Sequence, residues 1–288
     1  MIVELARAKI NLTLDILKLR EDGFHEVEMI MQTLELADEV ELTMLKSGID
    51  FKLDASQIEG GENIPLDEKN LAYRAALEMS NYCKKNFGVK IILHKKIPVS
   101  AGLGGGSADA AAVIRGINWL YDLNLSIEEL CRIGAKVGSD VPFCVAEGTW
   151  LARGRGEILY QLAPFKSYAV ILVKPHLEIS TAWAYKTFDE FPADSINHPP
   201  TYKIIEYFRA RDFDSAFKIF GNVLEPVAQK VFPELEDYKS KLIQAGAKVA
   251  QMSGSGPTIF ALADKSDVDK IVSSVKDLPA QIFITSIQ

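Results

Sequence analysis

Between residues 5 and 16 hydrophobic and polar residues alternate strictly. Ala6, Ala8, Ile10, Leu12, Leu14 and Ile16 share one parity, and Arg7, Lys9, Asn11, Thr13 and Asp15 share the other. A period of two predicts a β-strand with one buried face. The segment "REDGFHEVEMIMQTLEL" supplies a turn signal at Asp22-Gly23 and a second β-rich run, and "ADEVELTML" reads as a third strand. The amino-terminal third is therefore expected to be an antiparallel sheet.

The period then lengthens. In "NLAYRAALEMSNYCKKNF", residues 70–87, apolar side chains recur at helical spacing among strong helix formers. A strand, "VKIILHKKI", leads into "IPVSAGLGGGSADAAAV" and a second helix rich in small residues. Ser126 and Glu129 form a capping box that predicts the start of a third helix, and Gly138 is placed to close it. Past "GSDVPFC" and "GEILYQLAP" the chain enters a fresh apolar strand, "SYAVILVKP", which sets a domain boundary near residue 161. The second half reads as strand (168–175), helical region (202–245), strand (247–252), tight turn "SGSGP", strand (258–262), helix (267–278) and strand (281–287). That βαββαβ order with extra helix is the ferredoxin-like pattern. The expectation is an α+β chain of two domains, 1–161 and 162–288.

Length and composition agree with this picture. A chain of 288 residues exceeds the usual single domain, and 48% apolar with 25% charged residues is ordinary globular composition. The apolar run "YAVILV" falls far short of the ~20 residues a membrane-crossing helix needs. Charges within "MIVELARAKINLTLDIL" are unlike a secretory signal, so a cytoplasmic enzyme without a membrane partner is expected. Cys83, Cys131 and Cys144 lack the spacing of a zinc or redox pair and read as buried free thiols. His25, His94, His176 and His198 are scattered, which argues against a structural metal. A net charge of −7 without a basic block disfavours nucleic acid as a partner. An anionic small ligand fits, because a few backbone amides and one lysine make a local positive pocket.

The four glycines of "GLGGG" point to such a pocket. Glycine in regular structure costs about 0.5–1 kcal/mol relative to alanine, so four in five residues need a compensating reason. Bare N–H groups wrapped round an anion, with a helix N-terminus behind them, supply one, and phosphate is the natural ligand. A tight ligand-free connection is the alternative. The stretch lacks the G-K-[ST] ending of a P-loop, and Ser107 breaks G-x-G-x-x-G.

With "PVSAGLGGGSADAA", "ARAKINLTLDI" and "MSGSGPTIFAL" in that relation along the chain, the sequence resembles the GHMP kinase superfamily. The likeness runs nearly end to end, through "GFHEVEMIMQTLEL" and "GSDVPFC" as well. It implies an amino-terminal domain that is ribosomal-protein-S5-domain-2-like and a carboxyl-terminal ferredoxin-like domain. It also implies ATP with Mg²⁺ and a small-molecule acceptor, in the nearest branch a cytidine diphosphate-linked methylerythritol. Another kinase of the superfamily, such as a homoserine kinase, or a catalytically silent sensor of the same fold, are the alternatives. Oligomeric state stays open between monomer and weak homodimer.

The resemblance also distributes roles. By spacing alone Lys9 reads as a surface lysine and Asp140 as a helix N-cap. The family likeness makes them the catalytic pair, with Asp140 taking the acceptor's proton and Lys9 supporting its ionised form. Pro98, Val99, Ser100, Ala101, Gly102, Leu103, Gly104, Gly105, Gly106, Ser107 and Ala108 become the phosphate loop, and Lys95 falls near the adenine. Ser107 reads equally as the cap of the following helix. Gly254, Ser255 and Gly256 read as a hairpin turn or, by likeness, as a wall against the loop and acceptor. Phe24 and His25, with Tyr185, Thr181 and Asn11, are implied for the cytidine, since rings sandwich a base and histidine reads its edge. Phe24 stands where the family commonly has tyrosine. No carboxylate cluster marks a metal site, and no metal ligand is assigned.

Overall fold

The structure is a computed structural model that describes residues 1–165 and 168–288. The alternating amino terminus forms β1 (Ile2–Leu19), which turns at Gly23 into β2 (His25–Leu45), its antiparallel partner. The expected second and third strands are thus one strand of 21 residues. Its pairing with β1 is irregular between Arg7 and Lys9, where the extra residues lie in β2, and between Asn11 and Thr13, where the extra residue lies in β1.

A strand absent from the sequence reading, β3 (Ile49–Asp54), pairs in parallel with β4 (Gly88–His94), placing Phe51 opposite Ile91. The sheet is therefore not wholly antiparallel. Parallel neighbours need a crossover, and α1 (Leu71–Cys83) provides it, capped by the side chain of Asn70. Next come α2 (Gly105–Leu120), α3 (Ile127–Val137), α4 (Val141–Ala146), β5 (Thr149–Arg153) and β6 (Ile158–Gln161). The sheet order is β3-β4-β2-β5-β6, with β1 also on β2. The capping box forms at α3: Ser126 N donates to Glu129 Oε2 at 2.9 Å, and Glu129 N to Ser126 Oγ at 3.3 Å. Small residues let α2 lie close to the sheet, and a Cβ at Gly116 would collide with the Leu42 side chain.

The second half contains β7 (Ala169–Pro175), α5 (Thr181–Asp189), α6 (Thr201–Ala210), α7 (Phe213–Phe217), α8 (Glu225–Val231) and α9 (Glu234–Gln244). It closes with β8 (Val249–Met252), β9 (Ile259–Ala263), α10 (Val268–Val275) and β10 (Ala280–Ser286). These strands form a second sheet ordered β10-β7-β9-β8, antiparallel throughout. The expected helical region is four helices, broken at Arg211, which takes φ of 58°, and near Pro233. α5 was not read from the sequence.

The apolar residues of β1 are divided between two cores. Ala6, Leu14 and Ile16 join α1 to α4, whereas Ala8, Ile10 and Leu12 pack with Ile97, Leu103, Val170, Leu172 and Phe260. The polar parity is buried too, since Lys9, Asn11, Thr13 and Asp15 are each at most 5% exposed. The expectation of one buried face fails here because the middle of β1 is covered on both sides. The thiols also depart from the reading: Cys144 is buried, but Cys83 and Cys131 are half-buried, and all three are free.

Phe165 pins the second core, with ring centroids 5.3 Å from Phe208, 5.5 Å from Phe213 and 5.9 Å from Tyr168. Phe165→Ala leaves a cavity among rings that cannot collapse together, and should lower unfolding free energy by about 3–5 kcal/mol. Urea denaturation read against the parent chain measures it; a loss below about 1 kcal/mol would show that the site closes over.

Candidate active site

A cleft of about 1480 Å³ runs along the junction of the two sheets. Its floor is the glycine stretch, where Gly102 and Gly104 take φ of 72° and 69°, values that disfavour a side chain. Space excludes one as well. A Cβ on Gly102 would strike the Ser253 carbonyl, and one on Gly104 would lie 2.8 Å from Lys9 Cγ. The glycines thus let β1 on one side and the 253–256 turn on the other close on the loop.

Two hydrogen bonds fix that closure: Lys9 N donates to Leu103 O at 2.9 Å, and Ser253 Oγ to Gly102 O at 3.0 Å. Gly104 occupies the N-cap of α2, so the first amides of a 16-residue helix face the cleft without a side-chain cap. Ser107 lies within the first turn and is not the cap. Of the eleven expected loop residues, Ala108 alone does not line the cleft; it is buried in the core.

Lys95 sits beneath the loop. Its ammonium pairs with Asp38 and, at 2.7 Å, with Asp109 of α2. Asp38 also accepts from the amides of Lys96 at 2.5 Å and Ile97 at 2.8 Å, where the loop begins. Burial opposes the charge on Lys95, but Asp109 and Asp38 outweigh it and hold its pKa above the usual lysine value. Burial, reinforced by Asp38, pushes the Asp109 carboxyl well above the usual range despite Lys95. Lys95 therefore tethers α2 and the loop to β2 while still lining the cleft.

Lys9 is buried, which disposes of the surface-lysine reading. Its ammonium donates to Asn11 Oδ1 at 2.7 Å and lies 3.3 Å from Asp140 Oδ2. Asp140 does occupy the N-cap position of α4, yet its side chain makes no capping hydrogen bond. The carboxylate turns instead toward Lys9 and the cleft. Nearby, burial and then the Asp140 charge push the Tyr185 phenol upward.

The 253–256 turn is braced from behind. Asn222 Nδ2 donates to Met252 O and Gly254 O, both at 2.8 Å, and Glu225 Oε2 accepts from Met252 N at 2.7 Å. Ser255 Oγ lies 3.0 Å from Thr181 Oγ1 at the start of α5. Neither Asn222 nor Glu225 was foreseen, since a polar residue just before a helix, or at its first position, carries no periodic signal.

At the far end, the hairpin between β1 and β2 presents Phe24 and His25. Phe24 is half exposed, and the Arg155 guanidinium lies 4.9 Å from its ring centroid. Tyr185 packs against His25 at 5.0 Å, and Asp189 Oδ1, one turn further along α5, lies 2.8 Å from His25 Nε2. Tyr185 thus touches His25. Arg155 and Asp189 were missed because each lies far in sequence from the ring it meets. Among the described residues no group of three or more His, Cys, Asp and Glu side chains is arranged to hold a metal ion.

Sequence models of known families match both halves: GHMP kinases N terminal domain over residues 70–148 and GHMP kinases C terminal over 204–280. A 4-diphosphocytidyl-2-C-methyl-D-erythritol kinase of Bacillus pumilus is 43% identical over 98% of this chain and 95% of its own. One from Listeria innocua is 46% identical, covering 97% and 94%. A crystal structure of 4-(cytidine 5'-diphospho)-2C-methyl-D-erythritol kinase superposes with a TM-score of 0.81 at 31% identity over 99% of both chains. The homoserine kinase of Cytophaga hutchinsonii shares the fold, with a TM-score of 0.78 at 21% identity over 99% of this chain and 94% of its own. Since relatives of this identity span the chain from the β1 lysine to the 253–256 turn, it belongs to the GHMP kinase family, in the branch of the 4-diphosphocytidyl-2-C-methyl-D-erythritol kinases.

Proposed function

We propose that the chain transfers the terminal phosphoryl group of ATP to the 2-hydroxyl of 4-diphosphocytidyl-2-C-methyl-D-erythritol, a step of isoprenoid precursor synthesis. One observation carries the reading: Lys9 and Asp140 meet at 3.3 Å in the same cleft as the uncapped amides of α2. The loop from Pro98 to Ser107 cradles the triphosphate, whose negative charge is favoured at a helix N-terminus. Ala108 supports that turn from the core. Mg²⁺ bound with the nucleotide would neutralise phosphate charge; the residues that would hold it are not assigned.

Asp140 accepts the proton of the acceptor hydroxyl as its oxygen attacks the terminal phosphorus, and the bond to the bridging oxygen of ADP breaks. Lys9 sets positive charge beside the oxygen from which the proton leaves, and Asn11 holds that ammonium in place. Gly254, Ser255, Gly256 and Thr181 form the wall against which the acceptor's polar chain lies. Phe24, His25 and Tyr185 take the cytosine, Phe24 offering an apolar face without the hydroxyl of the usual tyrosine. In this reading Lys95 acts through the loop, on the side of the cleft that takes the adenine.

The same reading divides the chain at residues 161 and 162, into an S5-domain-2-like half and a ferredoxin-like half. The 10-7-9-8 strand order supports the second description. The enzyme is expected in the cytoplasm as a monomer or weak homodimer, with a small molecule rather than nucleic acid as its partner.

Asp140→Asn and Lys9→Met should each lower kcat on the order of 10²–10⁴-fold, with KM values changed only a few-fold, in a coupled ADP-release assay. Parent-like turnover in either variant would remove the pair from the chemistry. His25→Ala should raise KM for the cytidylyl acceptor by roughly tenfold and leave that for ATP within about twofold. The opposite ordering would place the nucleotide donor, not the acceptor, at the hairpin.

A further inference from the structure

Among the described residues three lysines stand buried in or beside the cleft, and two are accounted for by carboxylates. The third, Lys174 at the end of β7, is only 8% exposed and lines the cleft. Among the described residues it forms no ion pair, and its one hydrogen bond is a long one, 3.4 Å, to the carbonyl of Pro175. An ammonium withdrawn from water without a counter-charge is costly, and removing the charge is normally favourable for the fold. Its retention at this position calls for an anion from outside the chain.

Its surroundings indicate which anion. Val170 and Leu172 share Lys174's face of β7, and both belong to the core containing Ile97, Ala101 and Leu103 of the glycine loop. Val173 pairs with Ile259, so the residue after it runs beside the end of the 253–256 turn. Lys174 therefore stands where that core opens into the cleft, between the loop and the turn. We propose that Lys174 is a phosphate-contacting residue, donating from Nζ to an oxyanion of a phosphorylated ligand in the cleft. The proposal rests on the kinase reading for the source of that phosphate, which is either the triphosphate of the donor or the diphosphate of the acceptor.

The test compares Lys174→Met and Lys174→Gln, which remove the charge, with Lys174→Arg, which keeps it. ADP binding to the full chain is measured by titration calorimetry, and KM is measured for ATP and for the cytidylyl acceptor. Both neutral variants should weaken ADP binding or raise one KM by roughly tenfold or more, with the arginine variant within about threefold of the parent and kcat much less affected. A change in ADP and ATP values assigns the donor's phosphates; a change confined to the acceptor's KM assigns its diphosphate. Neutral variants within twofold of the parent in all three quantities would overturn the proposal. So would equal losses in all three lysine variants, which would mark a packing role.

If the neutral variants do not fold, reductive ¹³C-methylation of the parent chain provides a second measurement. The Lys174 resonance, identified by its absence in Lys174→Arg, should shift on saturation with ADP or with acceptor, and a resonance unmoved by both would overturn the proposal. The ADP measurement needs no phosphoryl transfer. A parent chain that binds ADP yet leaves the cytidylyl acceptor unphosphorylated would refute the acceptor assignment and leave the test of Lys174 standing.

Discussion

The site depends on how closely bare backbone can be approached. At Gly102 and Gly104 the loop has room for neither a methyl group nor a water layer, and this absence brings Lys9 and the Ser253 carbonyl against it. The two hydrogen bonds that follow, from Lys9 N and from Ser253 Oγ, tie the loop to a strand of the first sheet and a turn of the second. Everything reactive is placed relative to that clamp. The Lys9 backbone holds the loop while its side chain reaches Asp140, so the glycine loop and the Lys9–Asp140 pair share one residue as their reference point.

Electrostatics in the cleft is arranged by depth. Beneath the loop, Lys95 faces two carboxylates, and the Asp109 carboxyl is pushed upward because burial and Asp38 together exceed what one ammonium offsets. Such a group tethers, since the Lys95 ammonium is already held between two carboxylates, although Asp109 Oδ1 itself has no hydrogen-bond partner among the described residues. At the cleft wall Lys9 has one carboxylate and one amide oxygen, leaving capacity for a partner that arrives during reaction. The contrast explains why residues of one type in one cleft carry different work.

Much of this was legible in the sequence, for identifiable reasons. The α3 capping box, the second-half strand order and the glycine loop depend on neighbours a few residues apart, and local chemistry encodes them. The buried polar parity of β1 was not legible, because a period of two reports that faces differ without reporting that both are covered. β3 was missed because "IDFKLD" is short and edge-placed, with a crossover helix deciding its direction. The braces on the site, Asn222, Glu225, Asp189 and Arg155, act across long sequence separations and leave no spacing to read. Lys95 shows the converse: a motif places it beside the nucleotide, whereas two distant aspartates decide what its ammonium does.

The shared middle of β1 reaches beyond the site. Through Ala8, Ile10 and Leu12 the middle of one strand is a component of the core that also contains residues of β7 and β9. Neither sheet can lose its interior without taking that strand's central residues with it. The two halves are consequently expected to melt as a single cooperative unit. The cleft's rim is held more lightly, since among the described residues the β1–β2 hairpin meets α5 through the side chains of His25, Tyr185 and Asp189.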